Sequence, residues 1–364
     1  LTKKFFGDKT DFLMQLMRLR NKMREIKSNK KNPLAKIFVK LCRIFGFEIV
    51  DQSNFSIPTS DKSINESISV PGKKSVTLPL GSVQITRPVK SLDIILRTCM
   101  SVNMLTQSKK RIFEKNKEEY TKRTLISITK SVNHAKNIFK NIKFKIYIID
   151  HNSTKNQIDD IRDILKKSNI NFEILKLELN KFSTQIKKIN EENKEVTENQ
   201  KSNMSNIHQS LLLSKEKSED LTYFVEDDYI HEKISLSEIL YTYEKIASLT
   251  KQELLICPID YPYLYTQSEN TRIFLGEKRH WRQIDQTLCT FLTSRKLVEK
   301  YWNELTSMCK LEHYPFEKPL HNIYKKELCI SPIPSLALHF TNINSVYGLS
   351  PNVNWKRLWE ENEN

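Results

Sequence analysis

In Thr222-Tyr-Phe-Val-Glu-Asp-Asp-Tyr229 a short apolar run of strand character leads directly into three carboxylates, Glu226, Asp227 and Asp228. Adjacent anions repel one another. A divalent cation removes that repulsion, and hard carboxylate oxygens suit Mg²⁺ or Mn²⁺. The bland alternative is a solvated acidic turn. In open α/β sheets ligands bind outside the carboxyl ends of strands, which is where this cluster falls if the run before it is a central strand.

Composition removes several other chemistries. The 364 residues contain 6 glycines, at positions 7, 46, 72, 81, 276 and 348, so neither GxGxxG nor GxxxxGK[ST] occurs. Dinucleotide-dependent oxidoreductases, P-loop NTPases and protein kinases approach phosphate through glycine backbone and are excluded on that ground. Any phosphate held here must be held by metal and cationic side chains. The 59 Lys and Arg exceed the 43 Asp and Glu, giving a net charge of +16 that attracts nucleotides, anionic lipid or nucleic acid without choosing among them. A lysine-rich composition of this kind also arises from AT-rich coding DNA. The 6 cysteines are dispersed, with no zinc spacing or compact disulfide framework, which fits a reducing, cytoplasmic setting. No run approaches the roughly 18 apolar residues of a membrane span.

The elements that must position the acids follow from periodicity. Residues 1–50 read as a basic helical extension. Its first helix carries Phe12, Leu13, Leu16, Met17, Leu19 and Met23, its second runs from Pro33 through Phe45, and residues 1–48 either pack as a helical hairpin or lie on anionic lipid as a peripheral membrane contact. Residues 51–90, rich in Ser, Thr, Asn and Pro, form a linker or arm, with a short edge strand or hairpin over 78–86. From 91 to 364 strands and helices alternate, the pattern of an α/β domain with a mostly parallel sheet flanked by helices. Strands are predicted at 91–98, 144–150, 172–179, 221–225 and 253–258. Helices are predicted at 122–139, 157–167 and 203–217, and the charged stretch 181–201 reads as a helix with a mobile loop.

Several strand ends resemble those of the GT-A (Rossmann-like) nucleotide-sugar glycosyltransferases, most like family 2. The first strand ends Ile-Ile-Leu-Arg97-Thr98, similar to that family's Pro-Thr or Arg-Thr ending. The second ends Ile148-Ile-Asp150-His151-Asn-Ser153, similar to Val-Val-Asp-Asp-Gly-Ser. The helix before Tyr-Phe-Val-Glu-Asp-Asp resembles the one preceding the DxD-bearing strand, of which EDD is a known version. The resemblance covers about three quarters of the chain and rests on the order of several short motifs. It implies an enzyme moving a sugar from a nucleotide-sugar donor to a glycan or glycolipid acceptor, metal-dependent and inverting. Arg97, Thr98, Asp150, His151, Glu226 and Asp227 would meet the donor, and Asp228 would ligate Mn²⁺ or Mg²⁺, with His339 of Ser335-Leu-Ala-Leu-His339 as a second ligand. A lone histidine on an apolar strand is equally the pattern of a core histidine. His151 stands where relatives carry an acid that contacts the base, so base identity stays open.

An inverting transfer also needs a base for the acceptor hydroxyl. Glu317, in Tyr314-Pro-Phe-Glu-Lys-Pro, matches the acidic helix start where such enzymes place it. The same residue could merely favour a helix dipole. Asp260 and Asp285 are the reserves. The aromatic and cationic stretch from Tyr261 to Trp281 could form an acceptor wall or an ordinary anchored loop. Competing assignments are a nucleotidyltransferase, a non-catalytic sugar-nucleotide binder and, from another class, a nucleic-acid-binding protein. No nucleic acid is expected, because Lys is spread along the chain and mixed with Glu rather than gathered with aromatics.

Overall fold

A computed structural model describes residues 33–47, 75–78, 81–101, 111–189, 193–266, 271–310, 316–340 and 345–363. The chain divides into two compact units, 1–56 and 57–364. In the first, α1 (Pro33–Ile44) starts on a proline, which suits a first helical turn, and its apolar Leu34, Ile37, Phe38, Leu41 and Ile44 are exposed. The more N-terminal helix expected around Phe12–Met23 lies outside the described residues.

Among the described residues the second unit opens with the antiparallel pair β1 (Ser75–Leu78) and β2 (Gly81–Gln84), which begins three residues before the stretch 78–86 where a short edge strand or hairpin was expected. Then β3 (Ser91–Thr98) is buried along its whole length, as an interior strand of a sheet covered on both faces must be. The helix α2 (Lys117–Ile138) follows, then β4 (Lys143–Asp150), α3 (Lys155–Lys167) and β5 (Asn171–Lys176). Next come α4 (Glu198–Lys217), β6 (Leu221–Glu226), β7 (Tyr229–His231) and α5 (Ser235–Thr250). Both α3 and α4 begin with capping boxes, Thr154 with Gln157 and Thr197 with Gln200, so each helix start is fixed locally.

The chain goes on through β8 (Leu255–Ile256), β9 (Ile273–Leu275), β10 (His280–Gln283) and β11 (Phe291–Ser294). It ends with α6 (Arg295–Lys300), α7 (Trp302–Lys310), α8 (Lys318–Tyr324), β12 (Cys329–Ile333), β13 (Ala337–His339) and α9 (Trp355–Glu360).

Among the described residues nine strands form one sheet in the order β5-β4-β3-β6-β11-β8-β12-β10-β9. Its first four strands are mutually parallel, and β8 with β12 also run parallel, while β11, β10 and β9 pair antiparallel. The architecture is α/β, a large mixed sheet flanked by helices. Register places Thr98 opposite Asp150 and Arg97 opposite both Ile149 and Glu226, so the strand ends that carry chemistry line up at one edge. A separate pair, β7 with β13, sets His339 opposite Tyr229.

Two expectations need correction. The stretch 181–201 is not a helix through most of its described length: a 3₁₀ turn (Leu179–Phe182) leads into turns and an Ile189–Glu195 bridge, and helix begins only at Glu198, where the Thr197 cap permits it. The strand expected at 253–258 shrinks to Leu255–Ile256, because Pro258 cannot donate to a ladder.

Candidate active site

At the carboxyl end of β6 each of the three acids has a cationic partner. Arg97 lies 2.9 Å from Glu226, an ion pair whose guanidinium nitrogen is not aligned for a hydrogen bond. Lys117, at the start of α2, lies 3.3 Å from Asp227, and Arg111 lies 3.1 Å from Asp228. The repulsion among the carboxylates is therefore offset by side chains of this protein.

The three carboxylates differ in what else they do. Asp227 Oδ2 accepts from the Cys99 backbone N–H at 3.3 Å and the Thr121 hydroxyl at 3.1 Å, so it ties the end of β3 to α2. Glu226 is the most accessible, its side chain 31% exposed, and its backbone N–H donates to Thr290. Asp228 is held between strands: its carbonyl accepts from the Phe340 N–H at 2.9 Å, and its Oδ2 lies 3.5 Å from His339 Nε2.

The His339 ring is fixed on both sides. It stacks on Tyr229 at 4.5 Å with ring planes 3° apart, and its Nδ1 lies 2.7 Å from the Tyr347 carbonyl. A carbonyl only accepts, so Nδ1 carries a proton and Nε2 is the nitrogen turned toward Asp228. Burial alone would lower the His339 pKa, but Asp228, Glu226 and the Tyr347 carbonyl raise it. Burial would likewise raise the Asp228 pKa, but His339, Arg111 and Lys117 hold the carboxyl well below its usual range. Each group thus shifts the other toward its charged form. A divalent ion placed between them would meet one oxygen and one nitrogen donor, with the other ring nitrogen already anchored in the manner usual for metal-bound histidine. These two residues fit Mn²⁺ or Mg²⁺ only if the remaining positions come from phosphate oxygens and water. Among the described residues no group of three or more His, Cys, Asp and Glu forms a closed metal site.

At the end of β4, Asp150 Oδ1 accepts from the Thr98 hydroxyl at 2.8 Å and from Ser153 Oγ at 2.5 Å. Asn152 between them has φ of 61°, the left-handed conformation that Gly or Asn tolerates, so the tight turn survives without a glycine. His151 Nδ1 lies 2.8 Å from the Ser202 hydroxyl on α4, and burial lowers its pKa against the opposing pull of Asp150. Arg97 also donates to Asn203 of α4 at 3.1 Å.

Glu317 caps α8 without a side-chain hydrogen bond to that helix. Burial, reinforced by the charge of Glu226, pushes its pKa up to about 7 against the opposing pull of its own backbone N–H and Arg97. It thus shares an electrostatic environment with the acid cluster. The reserves sit differently. Asp260 is wholly buried and its two oxygens are taken by Tyr265 and Arg282. Asp285 is exposed; the Tyr347 hydroxyl, whose pKa is raised by burial and then by Glu317, feels its charge as well. In the expected acceptor wall, Tyr261 and Trp281 are core residues, while Tyr263 packs with Tyr347 at 5.2 Å. Sequence reading overlooked Arg111 and Lys117. No motif marks them, although a Lys in the first turn of α2, where a helix dipole disfavours cations, was a usable signal.

No family model matches this chain, and no curated protein matches it. Among solved structures it is similar to a UDP-glucose pyrophosphorylase complexed with UDP-glucose (10% identity, 68% of this chain and 91% of that chain, TM-score 0.33). It is also similar to the inositol-1-phosphate CTP transferase from T. maritima (10% identity, 75% and 96%, TM-score 0.36) and to the galactosyltransferase LgtC in complex with donor and acceptor sugar analogs (10% identity, 74% and 95%, TM-score 0.35). Likenesses of this depth decide neither substrate nor reaction, which rest on the site itself.

Proposed function

We propose that the chain is a metal-dependent glycosyltransferase that moves a sugar from a nucleotide-sugar donor to an acceptor hydroxyl of a glycan or glycolipid. The observation that carries this reading is the Asp228–His339 pair: a carboxylate and a correctly presented imidazole nitrogen 3.5 Å apart at the carboxyl edge of parallel strands. When bound there, Mn²⁺ or Mg²⁺ would supply Lewis-acid stabilisation of the charge that develops on the departing diphosphate. Asp228 and His339 would hold that ion. Thr98, Asp150 and His151, with Ser202 behind the imidazole, would receive the nucleoside. Glu226 is the exposed acid best placed to meet ribose or ordered water.

Glu317 would take the proton of the attacking hydroxyl. A carboxylate with a pKa of about 7 has the basicity that this task needs near neutral pH and is half protonated there, so the rate would follow the titration of this group. The exposed apolar row of α1, interleaved with Lys36, Lys40 and Arg43, supports a peripheral contact with anionic lipid that would bring the chain to a glycolipid acceptor. No helix among the described residues is long and apolar enough to cross a membrane.

The test is a thermal-shift screen of UDP-, GDP-, CMP- and dTDP-sugars with Mn²⁺ and Mg²⁺, followed by turnover with the stabilising donor. Metal-dependent stabilisation lost in Asp228→Ala supports the reading. Stabilisation by a nucleoside triphosphate with release of pyrophosphate would replace it with nucleotidyl transfer.

A further inference from the structure

The acid cluster is already neutralised before any divalent ion arrives, and the residue that does this at Asp228 is Arg111. Its NH1 lies 3.1 Å from Asp228 Oδ2, the same oxygen that faces His339 Nε2, and donates to the Phe340 carbonyl at 3.2 Å. The guanidinium lies over the Tyr120 ring, 5.0 Å from its centroid. This placement is built from outside the site. Phe113, two residues on, stacks on Trp359 at 4.2 Å and meets Trp355 edge-on, and its carbonyl accepts from the Tyr120 hydroxyl at 2.6 Å. Trp359 in turn lies under the Arg123 guanidinium at 4.3 Å. The C-terminal helix α9 thereby fixes the backbone that carries Arg111.

Two cations do not share one carboxylate oxygen without repulsion, so an ion ligated by Asp228 Oδ2 and His339 Nε2 must displace the guanidinium. Displacement leaves Arg97, Lys117 and Arg111 beside a new divalent charge, with three carboxylates to balance them. The surplus is positive and calls for an anion of about two charges. A planar fork of donors matches phosphate oxygens well.

We propose that Arg111 is an internal cation that a divalent ion must displace from Asp228, and that its displaced guanidinium forms part of a diphosphate subsite. The diphosphate half rests on the function proposed above; the displacement half does not.

The test uses the full chain, Mn²⁺ alone, and inorganic pyrophosphate at saturating Mn²⁺, each titrated by calorimetry at one pH. Arg111→Gln is expected to bind Mn²⁺ about tenfold tighter than the parent and pyrophosphate about tenfold weaker, with Arg111→Lys closer to the parent in both. Arg111→Met, which keeps the stem over Tyr120, repeats the measurement if the Gln variant does not fold. Equal Mn²⁺ affinities in parent and variants overturn the proposal. Tighter Mn²⁺ with unchanged pyrophosphate overturns the subsite. Intact pyrophosphate binding without binding of any nucleotide sugar supports the proposal while removing the glycosyltransferase reading.

Discussion

Glu238, fully buried, and Glu317, half-buried, are two carboxylates of the same unit, and they are treated in opposite ways. Glu238, on α5, accepts from the backbone N–H groups of Glu277 at 3.0 Å, Lys278 at 2.9 Å and Arg279 at 3.2 Å, and from Trp281 Nε1 at 3.2 Å. It staples the β9–β10 turn to the helix beneath, and its fit is so close that a Cβ on Gly276 would lie 2.2 Å from Oε1. Among the described residues nothing beyond Glu317's own backbone donates to the Glu317 carboxylate, and its pKa stands at about 7. Glu238 is held in the fold by its donors. Glu317 is left short of donors, and burial raises its pKa instead, the property that the proposed base requires.

Replacing Glu317 should break the catalytic side of that contrast. Glu317→Gln is expected to lower kcat by roughly 10²–10⁴ while leaving the donor dissociation constant unchanged, measured by steady-state kinetics and calorimetry. The parent rate should rise with pH through about 7, and the variant should lose that limb. Stability moves the other way. The native group holds its proton more tightly than the unfolded one, whose pKa is 4.5, so its contribution is complete below 4.5 and declines as pH rises through about 7. Urea unfolding at pH 5 and pH 8 should therefore show the parent losing on the order of 2 kcal/mol more than the Gln variant. Retained turnover in Glu317→Gln would move the base to Asp285.

Gly276→Ala should break the structural side. The new methyl meets Glu238, Trp281 and Thr242 at once, all of them buried, so a loss of about 2–4 kcal/mol is expected, read as a lowered urea midpoint. Because the β9–β10 turn holds no proposed donor or metal ligand, donor affinity at low temperature should stay within about twofold. A variant that lost nucleotide affinity but not stability would erase the distinction between the two carboxylates.

The interior parallel strands β3, β4 and β6 were legible in sequence because they are largely buried and bounded by helices of clear period, whereas the half-buried edge strand β5 ends three residues before its predicted end. Ser91–Thr98 is strand over the same residues in prediction and structure, and Leu221–Glu226 differs from prediction by one residue. The antiparallel half was not. Strands of three to five residues such as Ile273–Leu275 and Phe291–Ser294 are too short to show a period, and what makes them strands is a neighbour far away in the chain. The same division runs through the site. Glu226, Asp227 and Asp228 announce themselves by adjacency, and Asp150 by the turn after it. Arg111 was invisible because its place over Asp228 depends on Phe113, Tyr120 and Trp359, which only tertiary packing brings together.

His339 sharpens the comparison from the metal's side. If its Nε2 is a ligand, His339→Ala should weaken Mn²⁺-dependent nucleotide binding by about tenfold to a hundredfold with little effect on nucleotide binding in EDTA. Unchanged calorimetric affinity would return it to the role of a ring stacked on Tyr229. The smallest effect is expected behind the base. Ser202 touches His151 by one hydroxyl at 2.8 Å and would have no direct contact with donor in the proposed pose. Ser202→Ala should release the imidazole to rotate, costing about 1 kcal/mol, a fivefold loss in donor affinity. The loss should fall on the nucleotide and spare binding of pyrophosphate, since His151 lies at the end of β4 and the phosphate-seeking cations cluster around the end of β6. Equal losses for both ligands would mean that α4 shapes the whole cleft rather than the nucleoside end of it.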